Sequence, residues 1–546
     1  MTKLKIAAAV LCVGSLLACA AGMAASRGFG REDVSPAAVG AAKSPSDSLM
    51  DQVLETTRNI GDAEAKLRVL LRIASVQEKT GDPAGARKTR HEALELAKGF
   101  AAGSPRADAL LMVARSQTEA KDRVAVLETL KQAEQAVAAI DGENEKPTWL
   151  ARLVIAQATA GDYEGGLRTL AKGGSFQGDL LSNFGNQLNT ENKEAARKAA
   201  TKALAMVKFE GERAGIQRRN GLSGACYALA KAGDLDQALK TAAKLDKGEE
   251  QDRCLEVIVV AQAGDGDIAG AARTAKSIQR DDIKADALEA IVHAQAKAGD
   301  LTAARSTLSE ARKLAEKFQH EESERQAESG GGRQRRVPDP RLEQLQAGIA
   351  LTQLQLGDKS GALVTAANIE SDLGKAHALM QMGVSRLTAG KPAEAREVLL
   401  AASQAAQRVV PATRRGGWPL KSEKTATLGF IARAQAKAGE VTEALRTANA
   451  IPTDQAMDDA LAGIAPAQAE AGDLKGALET VARIRDETSK ADALDDLARV
   501  LVRAGHERDA LALAAEQKSP ALKARALLGV ISGKAGAKLP KQESPK

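Results

Sequence analysis

Five histidines, His91, His293, His320, His377 and His506, are the first residues to test for chemistry. "HEALE", from His91, lacks the second His of a zinc-protease helix, so it reads as a solvated helix face. "GDGDIAG", from Gly264, fits neither a phosphate loop nor a calcium loop. It reads as a turn with an extra Gly-Asp. No G-x-S-x-G elbow and no P-loop occurs. The sequence therefore assigns no catalytic, cofactor or metal residue, and the expectation is a protein that is not an enzyme. Beyond the N-terminal segment, Cys226 and Cys254 are the remaining thiols. An exported chain could pair them. They fall at different depths of successive repeats, so two buried thiols are expected.

Polar residues that do recur follow a register. With the Gly of "AGD" as position zero, copies turn at Gly81, Lys121, Gly161, Gly233, Gly266, Gly299, Gly357, Gly390, Gly439, Gly472 and Gly505, with a worn copy near Asn192. The intervals 233–266–299, 357–390 and 439–472–505 are each 33 residues, a period that signals a solenoid. Gln recurs at −4 (Gln77, Gln117, Gln157, Gln262, Gln295, Gln353, Gln435, Gln468). Thr recurs at +8 (Thr89, Thr129, Thr169, Thr241, Thr274, Thr307, Thr365, Thr447, Thr480). These columns are either a ladder for a peptide backbone or hydrogen bonds inside the hairpin. The second is expected, because −4 lies one turn from an always apolar −8. The Gln side chain leans away from the turn and the Thr leans back toward it, so the two should meet.

The elements that position these columns are helices. Gly at zero closes one helix in the left-handed region. Asp at +1, present in eight copies, can cap the next. Ala at +5, in nine copies, lets two helices approach. Each unit is helix A, a tight turn and helix B, and stacking buries what one pair cannot. Pro466 falls inside a helix A, where it should kink the helix or shift its start. "GDLDQAL", from Gly233, resembles the turn and second-helix start of the tetratricopeptide repeat. That family's aromatic positions are mostly Ala, Leu or Ile here, and its closing Pro is generally absent. The resemblance implies a right-handed superhelix with helix A on the concave face, holding peptides or proteins. The expected fold class is all-α, a superhelical solenoid of about twelve antiparallel helical hairpins.

At 546 residues the chain exceeds one compact core. Its 77 basic and 71 acidic residues leave a small net charge of +6. Aromatics are 2%, too few for the stacking platforms of a single-strand reader, so nucleic acid is not an expected partner. Residues 1–25, with Lys3 and Lys5 before an apolar run from Ile6 to Leu17, read as a secretory signal. "LLAC" resembles a lipobox ending at Cys19, the candidate lipidation site, while "ACA" also suits ordinary signal peptidase. Residues 26–48 read as a tether, 49–532 as the solenoid with insertions near 318–340 and 408–422, and 533–546 as a disordered tail. Residues 519–532 read as a final capping helix. The expected location is periplasmic, outer-membrane-anchored or secreted, with membrane contact only through an N-terminal lipid.

The candidate partner surface is a basic rim. The repeat is expected to lengthen only between helix B and the next helix A, and three such connections are basic. They carry Arg213, Arg218 and Arg219, then Arg333, Arg335, Arg336 and Arg341, then Arg414, Arg415 and Trp418. Arg suits carboxylates and phosphates, so the natural occupant is an acidic protein or peptide segment or an anionic envelope surface, against the reading that solvated loops carry charge and nothing more. The acidic stretch from Glu321 to Glu328 would partly neutralise the second loop.

Overall fold

A computed structural model describes residues 45–142, 144–206, 214–328, 339–409, 420–452 and 455–537. These form twenty-six α-helices and no strand among the described residues. In chain order they are α1 (Pro45–Arg58), α2 (Ala63–Lys79), α3 (Pro83–Lys98), α4 (Ser104–Glu119), α5 (Arg123–Ala138), α6 (Lys146–Ala160), α7 (Tyr163–Ala171), α8 (Gln177–Gln187) and α9 (Lys193–Met206). Then follow α10 (Ala214–Lys231), α11 (Leu235–Ala242), α12 (Glu249–Gly264), α13 (Ile268–Lys276), α14 (Asp281–Lys297), α15 (Leu301–Glu328), α16 (Pro340–Gln355), α17 (Lys359–Ala367) and α18 (Asp372–Thr388). The series ends with α19 (Pro392–Arg408), α20 (Leu420–Lys437), α21 (Val441–Asn449), α22 (Gln455–Glu470), α23 (Leu474–Arg483), α24 (Glu487–Arg503), α25 (Glu507–Ala515) and α26 (Pro520–Ala537). Even-numbered helices are the A helices and odd-numbered ones the B helices, so α2 through α25 make twelve hairpins.

The turn between A and B is the same throughout. Gly at position zero has φ between 71° and 89° in all ten copies, and Lys121 takes the same role at φ 57°. In all eleven turns the N–H of +1 donates to the carbonyl of −4 at 2.8–3.0 Å, the long bond of a Schellman closure. All eight Asp residues at +1 accept from the backbone N–H three residues on, as the Asp473 carboxylate does from Gly476. The apolar −8 column, from Ile73 to Leu497, is no more than 2% exposed anywhere, and the Ala residues at +5 are fully buried. The register read from the sequence is thus the packing register.

Longer repeats are made differently from expectation. The extra residues extend helix B, as in α3, α5 and α19, and in the 28 residues of α15, which contains Glu321 to Glu328. Pro466 does not end α22, which runs through it to Glu470. The helical unit also starts earlier than 49, at Pro45, and α26 continues to Ala537, past the expected end at 532.

The last helix is not a solvent-facing cap. It packs on α24, on α2 and on α1. The pair α26 and α1 is therefore a thirteenth hairpin, with helix A supplied by the C-terminal end and helix B by the N-terminal end. Each even-numbered helix touches the next, from α2 round to α26 and back to α2, so the unit closes into a ring. The close fit of α26 needs a bare backbone. A Cβ at Gly529 would stand 2.1 Å from the Asp495 carbonyl oxygen of α24. Asp495, with its side chain 1% exposed, ties the joint. It accepts from Arg72 of α2 at 2.8 and 3.0 Å and from Arg525 of α26 at 3.2 Å.

Candidate partner-binding surface

In a closed ring of two layers, the layer whose consecutive helices touch has the shorter circumference. That layer is the even-numbered set, so the A helices face inward. Of the outer helices, α7 also packs on α5 and α9, and long side chains cross between them. Glu134 on α5 holds Lys172 at 2.7 Å and Arg168 at 3.3 Å, both at the end of or just beyond α7. Lys202 of α9 likewise reaches Glu164 of α7.

The inward row is polar and joined from helix to helix. Arg152 of α6 pairs with Asp108 of α4. Asn220 and Gln217 of α10 donate to Asp179 of α8 at 2.6 and 3.2 Å. Arg253 of α12 pairs with Asp286 of α14 at 3.7 Å. Thr427 of α20 shares a 2.7 Å hydrogen bond with His377 of α18, whose imidazole burial pulls below its ordinary range against the pull of Glu423. Two aromatic rings lie in this row, each covered by the Arg three residues on. Arg152 stands 4.3 Å over Trp149, and Arg433 stands 4.7 Å over Phe430. Phe430 is 45% exposed, an unusual position for a ring in a chain so poor in aromatics.

Between α12 and α14 two carboxyls share one guanidinium, with a third, Glu289, close by. Arg253 bonds Glu256 at 3.2 Å as well as Asp286. Burial first, then the Glu256 charge, pushes the Asp286 carboxyl up to about 7, although 33% of its side chain reaches solvent. Burial also raises Glu256, with Arg253 opposing. Glu289, one turn beyond Asp286, lies against Gly348 of α16, and its Oε1 is buried without a hydrogen-bond partner. Burial, then Asp286 and Glu256, holds it well above the carboxylate range. Among the described residues no group of three His, Cys, Asp or Glu is arranged to hold a metal ion.

The polar columns are internal. Thr89, Thr169, Thr365, Thr447 and Thr480 each donate through Oγ1 to the Gln twelve residues before, at 2.6–2.8 Å. All the Gln residues of the column except Gln295 are buried, at 8% exposure or less. They cannot read a peptide backbone. Gln117, Gln262 and Gln295 depart from the pattern, with Oε1 unpartnered.

The basic rim is only partly covered. Arg213, Arg333, Arg335, Arg336, Arg414, Arg415 and Trp418 lie outside the described residues, as does Cys19. Arg218 and Arg219 do not sit in a connection, as expected, but in helix α10. There Arg219 faces Glu250 at 3.7 Å. Arg341, at the start of α16, faces Glu249 at 3.4 Å and Asp282 at 3.9 Å. The rim arginines that are described, Arg218 aside, already have carboxylates of their own. Sequence reasoning missed the inward aromatic–arginine pairs. Their signal was there, as a ring with an Arg at i+3 on a helix A.

These features define an all-α helical-repeat solenoid of tetratricopeptide-like hairpins, closed end to end. No family model matches the chain, and no curated protein matches it. Solved structures that the chain matches include the Rap protein complexed with Competence and Sporulation Factor (13% identity, 79% of this chain and 98% of that chain, TM-score 0.25). Another is the APC/C hetero-tetramer Cut9–Hcn1 (14% identity, 89% of this chain and 97% of that chain, TM-score 0.21). A third is the pentatricopeptide repeat protein PPR10 in complex with an 18-nt psaJ RNA element (14% identity, 81% of this chain and 72% of that chain, TM-score 0.25). At these values the class rests on the chain's own hairpins.

Proposed function

We propose that the chain is an exported scaffold whose inward helices hold a protein partner. The observation that carries this reading is the pair of solvent-reachable aromatic–arginine stacks, Trp149 with Arg152 and Phe430 with Arg433, on the inner layer. Trp, Tyr and Arg are the side chains that most often anchor protein interfaces. Export is supported by Lys3 and Lys5 before the apolar run, with cleavage at Cys19 or just after it, and Cys19 is the lipid-bearing residue if the lipobox is used. Among the described residues no helix is long and apolar enough to cross a membrane. The test is capture from an envelope fraction by the purified solenoid, with the Trp149→Ala/Phe430→Ala variant beside it. A protein retained by the wild type and lost with the double variant supports the inner surface. Equal capture by both, or capture of RNA alone, refutes it.

A second reading keeps the rim as the docking edge for an acidic segment, through Arg335, Arg336, Arg414 and Arg415. Reversing those four to Glu should then weaken capture at low salt with helicity intact. Unchanged capture removes the rim and leaves an envelope-assembly role without groove binding as the alternative.

A further inference from the structure

We propose that Cys226 and Cys254 join as a disulfide when the chain folds in an oxidising compartment, stapling α10 to α12. The setting rests on the export reading; the pairing rests on geometry. Beyond residues 1–25 the sequence contains no other cysteine. In the structure both are free thiols and fully buried, as expected, on successive inner helices. The Cys226 thiol points at the second cysteine's backbone: its Sγ donates to the Cys254 carbonyl oxygen at 3.7 Å and to that of Ala238 at 3.6 Å.

Their different depths in the repeat, −7 and −12, are what brings them together. A separation of 28 residues is a contact spacing of this fold. Asp252 accepts from the Arg280 N–H, Glu343 from that of Ser371 and Asp458 from that of Asp486, each pair 28 apart and at 2.9 Å. The positions equivalent to 226 and 254 in the other 28-residue junctions hold Val259 with Ala287, Ala350 with Ala378, Ala432 with Ala460, and Ala465 with Ala493, all fully buried. Small side chains are the rule at this approach of two A helices, and at one junction both are Cys. A disulfide needs Cβ atoms about 3.5–4.5 Å apart, and small buried side chains on two packed helices favour such an approach.

The chemistry is thiol–disulfide exchange with a disulfide-bearing oxidant. One cysteine thiolate attacks the oxidant's disulfide and forms a mixed disulfide. The second thiolate displaces the oxidant's sulfur as a thiolate. Two protons leave the cysteines, and the oxidant ends as a dithiol. In the folded ring the contact with Cys254 and burial hold the Cys226 thiol far above its usual range, so exchange belongs to the stage before α10 docks on α12. Once made, the bond closes a loop of 28 residues and should lower the opening constant of the α10–α12 junction roughly 400-fold.

The test uses the full mature chain in two arms. In the first, the reduced protein is refolded in a glutathione redox buffer, acid-quenched, denatured and alkylated without reductant. The expected product is lighter by two hydrogens, unalkylated, and yields one linked 226–254 peptide pair. Amide exchange across α10–α12 should quicken by a few hundredfold on adding a phosphine reductant. Two alkylated thiols after refolding overturn the pairing, and Cys226→Ala, which must stay unlinked, controls for intermolecular bonds. In the second arm, the chain taken from its native host is quenched directly. The linked pair there supports export as well. Free thiols there, with the link formed on refolding, overturn export and leave the pairing standing.

Discussion

Replacing Gln468 tests whether the recurring Gln is a structural bolt. Its Oε1 accepts from Thr480 at 2.6 Å, and its Nε2 donates to the capping Asp473 at 3.3 Å. Gln468 and Thr480 are each 3% exposed. Truncation to Ala loses the Thr480 bond, about 1 kcal/mol, one buried methylene, about 0.8 kcal/mol, and the amide's packing, about 1 kcal/mol as a cavity. Side-chain entropy released from the Gln offsets part of this, so the net cost should be about 2 kcal/mol. Leu should cost under about 1 kcal/mol, because it keeps the apolar bulk and the Thr has a fallback. That fallback is visible where the column holds Leu229. Thr241 donates there to the carbonyl of Gln237 in its own helix at 2.7 Å. Gln295, whose Oε1 is unpartnered, is the control, and Gln295→Leu should be neutral. Native-state amide exchange of α22 and α23 is the assay, since opening in a repeat protein is partly local. A cost of 2 kcal/mol is roughly a thirtyfold rise in exchange. If Gln468→Leu is as costly as Gln468→Ala, or Gln295→Leu as costly as Gln468→Leu, the hydrogen-bond account is wrong.

The Asp286 patch gives a signed pH dependence. Its carboxyl titrates near 7 folded and near 3.8 unfolded, so between these values the unfolded chain releases a proton that the folded one keeps, and stability falls as pH rises. With a third of the side chain in solvent, the loss should be about 1–2 kcal/mol, confined to α12 and α14. Amide exchange corrected for its intrinsic pH dependence should show it between about pH 4 and pH 7, levelling off above, and Asp286→Asn should reduce it. Arg72→Ala leaves the buried Asp495 with Arg525 alone and should cost about 2–3 kcal/mol at α1, α2 and α26, read as local exchange or protease cleavage near the ends. Lys121→Gly relieves a left-handed residue at φ 57° and should stabilise its hairpin by about 0.5–1 kcal/mol in urea titration.

The repeat register was legible because one turn geometry recurs. Gly, Asp and Ala at zero, +1 and +5 answer to local backbone and close-approach demands, and all three columns do what their residue types suggest. The Gln–Thr bond was also legible, because the lean of side chains on two antiparallel helices can be worked from spacing alone. Closure was not. It depends on the small rotation from each hairpin to the next, summed over thirteen, and no single residue reports that angle. Gly529 and Asp495 signal it only once α26 is known to meet α2. The two buried thiols were legible, but their proximity was not, because depth in the repeat was compared directly, whereas neighbouring A helices meet with an offset. The rim reading assumed that extra residues form loops, and in α10 and α15 they form helix.

Closure is the central claim, and one distance tests it. Spin labels at Glu55 on α1 and Lys523 on α26, in a mature chain with Cys226 and Cys254 replaced by Ala and Cys19 by Ser, report the joint through pulsed dipolar spectroscopy. Two packed helices lie about 8–10 Å apart, and α1 is only about 21 Å long. With label arms added, the ring predicts one narrow distribution below about 30 Å, which broadens and lengthens when Arg72→Ala is introduced in mild denaturant. A broad distribution beyond that distance in the unperturbed chain would show an open solenoid and contradict the account.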